Sequence, residues 1–158
     1  MSLPSGPQHF VIAIGSNQRG RHGSPAQEVA AALAAVGGVV RASSVLHTAP
    51  LGPSRRRYAN AAALVATNES PAALLARLKT IEHAFGRRAG QRWGARVIDL
   101  DIILWSGGGW AGEKLIIPHI SFRERAFVIG PVAAIVPRWR DPLTQRTMRQ
   151  LAYRALRG

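Results

Sequence analysis

The period of the apolar residues changes along the chain, and the changes mark the elements. Phe10-Val11-Ile12-Ala13-Ile14 is a short apolar run closed by Gly15-Ser16-Asn17, which predicts a strand over 9–16 leading into a loop. Residues 18–23 are basic and glycine-rich, and are expected to be mobile. Ser24 then offers an N-cap, Pro25 takes the first helical position and Gln27 completes a capping box. Val29, Leu33 and Val36 follow at helical spacing until Gly37-Gly38 ends the helix. A second strand is expected over 39–48, a loop over 49–57 and a third strand over 58–67. Ser70-Pro71 repeats the cap-plus-proline start, and Leu74, Leu78, Ile81 and Phe85 form the apolar stripe of a helix that Gly86 stops.

A basic loop over 87–95 precedes a fourth strand over 96–105. The remainder reads as a flexible turn at Ser106-Gly107-Gly108-Gly109 and an extended piece at 115–118. A short helix follows, capped by Ser121 and Glu124, then a helical turn opened by Pro131, and a closing helix over 147–156. Strand, helix, strand, strand, helix, strand is the order of an α+β, ferredoxin-like split-βαβ sandwich, with two helices on one face of an antiparallel sheet. An irregular, helical C-terminal part follows it. Residues 1–8 are expected to be a flexible leading segment and 9–158 a single domain.

The composition narrows the choice of function. At 158 residues and 47% apolar, the chain is long enough for one real core. It has no cysteine, which excludes disulfides, thiol catalysis and cysteine-held zinc. The start lacks the basic patch and apolar stretch of a secretory signal, and the longest apolar run, 29–40, is too short to span a bilayer. A cytoplasmic protein with no membrane partner is expected. The net charge of +13 calls for an acidic partner, and nucleic acid, an anionic membrane and a polyphosphate metabolite all qualify.

The candidate chemistry is concentrated in Arg92-Trp93-Gly94-Ala95-Arg96-Val97-Ile98-Asp99-Leu100-Asp101-Ile102. Only 8 acidic residues stand against 21 basic ones, so two carboxylates this close are conspicuous. Residues two apart on a strand share a face and lie roughly 6–7 Å apart. Asp99 and Asp101 can therefore hold metal from one side, with Ile98, Leu100 and Ile102 anchoring the strand. Mg²⁺ takes one or two carboxylates plus phosphate oxygens, and guanidinium groups bind phosphate bidentately. Solvated carboxylates, or partners for Arg92 and Arg96, are the alternative reading of the same pair.

Several blocks together resemble the 6-hydroxymethyl-7,8-dihydropterin pyrophosphokinases of folate biosynthesis. They are Ala13-Ile14-Gly15-Ser16-Asn17, Thr48-Ala49-Pro50-Leu51-Gly52-Pro53, Tyr58-Ala59-Asn60-Ala61-Ala62, the Arg92–Ile102 segment, Pro118-His119 and Arg125-Ala126-Phe127. The resemblance implies a ferredoxin-like enzyme that moves the β,γ-diphosphoryl unit of ATP onto the pterin hydroxymethyl oxygen and releases AMP, using two Mg²⁺ ions. It implies that Asp99 and Asp101 hold the metal and that Arg87, Arg92 and Arg96 join them in the catalytic set, since phosphoryl transfer is mostly positioning and electrostatics.

Nucleotide contacts are implied for Glu82, Arg92, Trp93 and Arg96, and further along for Ile102, Lys114, Ile116, His119 and Arg125. The pterin pocket is implied at Thr48, Pro50, Leu51, Tyr58 and Asn60, with Trp93, Asp99 and Phe127 beside it. Gly15-Ser16-Asn17 is expected to shape the pterin end of the cleft. It is not a Walker A loop, because no Gly-Lys-Ser/Thr follows.

Three other functions compete. An RNA-binding module shares the split-βαβ fold and suits the charge, but Val11–Ile14 and Arg96–Trp105 lack the aromatic pair that stacks bases. A metal-dependent phosphohydrolase would use the same aspartates. A diverged paralogue would act on another pterin alcohol. The expectation is a monomer that binds ATP and a reduced pterin and does not bind nucleic acid.

Overall fold

The computed structural model describes residues 6–48, 58–86 and 97–157. Its centre is β1 (Gln8–Ser16), which pairs antiparallel with β4 (Tyr58–Thr67) on one side and β5 (Asp99–Trp105) on the other. β2 (Val39–Ala42) and β3 (Leu46–Thr48) both pair with β4, so the main sheet runs β2-β4-β1-β5, with β3 beside β4. This is the ferredoxin-like order read from the sequence. Gln8, inside the segment expected to be flexible, is already the first, buried residue of β1.

Alternation along the strands builds two cores. Phe10, Ile12 and Ile14 of β1 and Ala61, Ala63 and Val65 of β4 face α1 (Pro25–Val36) and α2 (Pro71–Phe85). Both helices start as expected. The Ser24 hydroxyl accepts from Gln27 N while Gln27 Oε1 accepts from Ser24 N, and Ser70 accepts from Ala73 N. Gly37 and Gly38 follow with φ of 67° and 63°, a left-handed pair that ends α1.

On the other face, Val11, Ala62, Leu64, Ile103 and Leu104 pack against α3 (Ala126–Ile135) and α4 (Met148–Arg157). The β1–β5 register shifts at Val11/Ile12, and this bulge lets Ile103 and Leu104 both enter that second core.

Several expectations need correction. The strand expected over 39–48 is two short strands. At the break, Ser43 N donates to Ala62 O and the Ser43 hydroxyl accepts from Ala62 N, both at 2.9 Å, so a side chain replaces a ladder carbonyl. The fourth strand starts at Asp99 rather than 96. Ser121 makes no capping hydrogen bond, and Phe122–Glu124 is a single 3₁₀ turn. Pro131 does not open a helix but lies buried within α3, at the cost of one helical N–H bond. A small hairpin of β6 (Trp110–Ala111) and β7 (Ile116–Ile117) was not anticipated on its first strand. The expected loops at 49–57 and 87–95 lie outside the described residues.

The 3₁₀ turn is tied to the chain before α4 by one ion pair. Arg123 reaches the fully buried Asp141 through Nε and, at 2.8 Å, through Nη2. Burial alone would raise the Asp141 pKa. The Arg123 guanidinium, the Leu143 N–H and the Thr144 hydroxyl outweigh it and hold it at about 2.

Candidate active site

One end of the sheet is left uncovered on the α3 side. There the strand register sets three residues in a row: Asn60 on β4, Gly15 on β1 and Asp99 on β5. Strands lie about 4.8 Å apart, so the backbones of Asn60 and Asp99 are roughly 10 Å apart with only a glycine between them. Asp101 stands one pleat further in, opposite Ala13. Small side chains at the centre therefore make a floor, and polar ones stand at its two sides.

Above this floor is a cleft of about 440 Å³. Its walls are Tyr58 and Asn60 on one side, Asp99 and Asp101 on the other, and Arg125, Phe127 and Val128 from the start of α3. Gly15 leaves room in this row, because a β-carbon there would sit 2.9 Å from Asn60 Oδ1 and push that side chain aside. Asn60 is itself buried, and its Nδ2 has no hydrogen-bond partner. A buried donor without an acceptor is costly, and a ligand with a carbonyl or ring nitrogen would satisfy it. The first turn of α3 receives no side-chain cap from Arg125, and Arg125, Phe127 and Val128 at this helix end line the cleft, where the positive end of the helix dipole favours an anion.

Asp99 is exposed and Asp101 half-buried, both on the cleft side of β5. Among the described residues no cluster of three or more acidic or histidine side chains could hold a metal ion by itself. Two carboxylates beside an anion-favouring helix end suit a Mg²⁺ ion that completes its shell with phosphate and water oxygens.

The structure thus gathers Tyr58, Asn60, Asp99, Asp101, Arg125 and Phe127 from the expected set, with Gly15-Ser16-Asn17 lining the same cleft. Thr48 is at the end of β3, paired with Tyr58 beside the cleft. Five expected residues do not line this cleft. Ile102 is buried in the α1/α2 core, away from the cleft, because it is one residue out of phase with Asp101. Glu82 is a buried brace: its Oε2 accepts the Leu100 N–H at 2.8 Å, between the two aspartates, and Lys79 meets its Oε1 at 3.2 Å. Lys114 and Ile116 belong to the β6–β7 hairpin segment and do not line the cleft. His119 runs along β5, its N–H donating to Ile103 O, and its Nδ1 accepts from Ser121 N, which puts the neutral ring's proton on Nε2. Pro50, Leu51, Arg87, Arg92, Trp93 and Arg96 lie outside the described residues. Ala13 and Val128 were missed as lining residues, although Ala13 shares the strand parity of Gly15.

A ferredoxin-like sandwich with paired carboxylates, an orphan amide and an uncapped helix end at one open sheet edge defines a small-molecule site that favours an anionic ligand. The profile described as 7,8-dihydro-6-hydroxymethylpterin-pyrophosphokinase (HPPK) matches residues 11–137, and the chain belongs to that family. It is 39% identical over 130 residues to the 2-amino-4-hydroxy-6-hydroxymethyldihydropteridine pyrophosphokinase of Haemophilus influenzae, covering 78% of this chain and 79% of that protein. The enzyme of the same name from Synechocystis is 38% identical over 127 residues, covering 79% of this chain and 65% of that protein. The fold matches a crystal structure of Plasmodium falciparum HPPK-DHPS with a TM-score of 0.74 at 14% identity, over 95% of this chain and 44% of the other.

Proposed function

We propose that this chain transfers diphosphate from ATP to the hydroxymethyl group of 6-hydroxymethyl-7,8-dihydropterin, giving AMP and the pterin diphosphate for folate biosynthesis. The observation that carries the reading is the Asn60–Gly15–Asp99 row: an orphan amide donor and a carboxylate face each other across a bare floor wide enough for a flat ring. Tyr58 and Phe127 supply flat walls for the pterin, and Asn60 Nδ2 supplies a donor for its polar edge.

The hydroxymethyl oxygen attacks the β-phosphorus of ATP. The bond from that phosphorus to the α,β-bridging oxygen breaks, AMP leaves with this oxygen, and the hydroxymethyl proton passes to water or to an Asp99 oxygen. Asp99 and Asp101 would hold two Mg²⁺ ions, which supply charge neutralisation to the phosphates. The α3 N-terminus and Arg125 stabilise the same anion. Arg87, Arg92 and Arg96 belong to the catalytic set on family resemblance, with Trp93 contacting both substrates and Pro50 and Leu51 on the pterin side. His119, Lys114 and Ile116 are assigned to the nucleotide side. Glu82 takes a bracing role, and Ile102 a packing one.

The RNA-binding alternative loses its platform, because helices cover both faces of the central strands apart from the cleft. No helix of the described residues is long and apolar enough to cross a membrane. The reading is of a cytoplasmic monomer, one domain over 9–158, that does not use nucleic acid. Purified protein with Mg²⁺ and ATP should form AMP only once the reduced pterin is added. ADP or phosphate released without pterin would replace this reading with a hydrolase, and no nucleotide turnover under either condition would end it.

A further inference from the structure

The loop after β1 is pinned by a carboxylate that the proposed reaction does not use. Glu28, in the first turn of α1, is fully buried. Its Oε1 accepts the His22 backbone N–H at 2.7 Å and its Oε2 meets His22 Nδ1 at 2.8 Å. Gly20 and Gly23 exchange both backbone hydrogen bonds and close the loop on itself. The basic loop expected to be mobile is therefore held in place.

The same loop touches elements on both sides. The His22 ring lies 4.7 Å from the Phe85 ring at the end of α2. Gly20 sits so close that a β-carbon there would overlap Glu28 Oε1 and come within 2.6 Å of Val97 Cγ1. Val97 is buried and stands two residues before Asp99. From the opposite side Glu82 takes the Leu100 N–H. The start of β5 is gripped by α1's loop at Val97 and by α2 at Leu100.

A buried carboxylate is a poor means of stabilising a loop, because its desolvation offsets much of what its partners return. What its two hydrogen bonds add over an apolar side chain is fixed direction. We propose that Glu28, acting through His22 and Gly20 on Val97, is a positioning residue that sets the Asp99–Asp101 carboxylates for the metal–nucleotide. It touches neither substrate. The inference rests on the metal-binding reading of those aspartates. Groups standing behind metal ligands change metal affinity by about 10–100-fold when removed, and small misplacements of reacting groups cost comparable factors.

The test titrates Mn²⁺, read by its free-ion magnetic resonance signal, into protein saturated with a nonhydrolysable ATP analogue, alongside steady-state kinetics and thermal unfolding. Glu28→Ala and Gly20→Ala, each confirmed as cooperatively folded, should weaken Mn²⁺ binding by about tenfold. Their kcat should fall by a similar factor while the pterin KM stays within twofold. Glu28→Gln keeps an acceptor for the His22 N–H and an amide for the neutral imidazole, and should restore most of both. Two results overturn the proposal: a folded Glu28→Ala or Gly20→Ala with unchanged Mn²⁺ affinity, or a loss that Glu28→Gln does not rescue. The metal reading fails differently. Asp101→Asn that still binds Mn²⁺ as tightly as the parent removes the premise, and this proposal falls with it. Should Glu28→Ala not fold, Gly20→Ala decides alone.

Discussion

The two faces of the sheet are built from the same strands and used in opposite ways. On the α1/α2 side, Phe10, Ile12 and Ile14 are buried in sequence, and apolar cover runs the full length of β1. On the α3/α4 side, cover extends over Val11, Leu64 and Leu104 and stops where α3 begins. Beyond that point Ala13, Gly15, Asn60, Asp99 and Asp101 line an open cleft. One face packs and braces the strands from behind. The other exchanges part of its packing for a floor on which a substrate can lie.

Substitutions should separate the two faces. The largest effect is expected in the open half: Asp101→Ala should lower kcat by about 10³–10⁴-fold in the AMP assay, while the unfolding midpoint moves little. A kcat within tenfold of the parent would show that the carboxylates are not the centre of the reaction. In the closed half, Leu78→Ala leaves a void between α2 and the sheet and should cost about 2–5 kcal/mol by urea unfolding. The folded fraction should keep its specific activity.

Asp141 tests what holds α3's start in place. Its folded pKa of about 2 lies below the ordinary 3.8, so its contribution is complete above about pH 4 and is lost as pH falls through about 2. That difference is worth about 2 kcal/mol. Asp141→Asn should cost about 2–3 kcal/mol at neutral pH, since Arg123 is only partly screened by water, and should flatten the acid limb of the stability profile. An unchanged limb would assign acid sensitivity elsewhere. The smallest effect belongs to Gly15→Ala, whose β-carbon would crowd Asn60 Oδ1. It should raise the pterin KM by about tenfold, roughly 1.4 kcal/mol, and leave the KM for ATP alone.

Legibility in the sequence followed the same division. Elements with strict period and explicit caps, such as α1 and α2, stand where Ser24-Pro25 and Ser70-Pro71 put them. The C-terminal part is less legible, because α3 is apolar on nearly every side and offers no stripe to phase, and a proline such as Pro131 marks a helix start more often than an interior. Within the site, residues on the Asp99/Asp101 parity of their strands could be placed by alternation and family resemblance. Ile102 could have been excluded by that same parity. The brace made by Glu82 and the anchor made by Glu28 were not readable, since each depends on a backbone group that only the tertiary arrangement brings near.

The outer margin of β5 has one further consequence. An exposed strand edge ordinarily invites a neighbouring chain to extend the sheet. Here the Glu82 carboxylate occupies the Leu100 N–H and the His119 N–H occupies the Ile103 carbonyl, so the strand that bears both aspartates offers little ladder for another copy to zip onto. The groups that brace this edge thereby also guard it against sticking to its own kind.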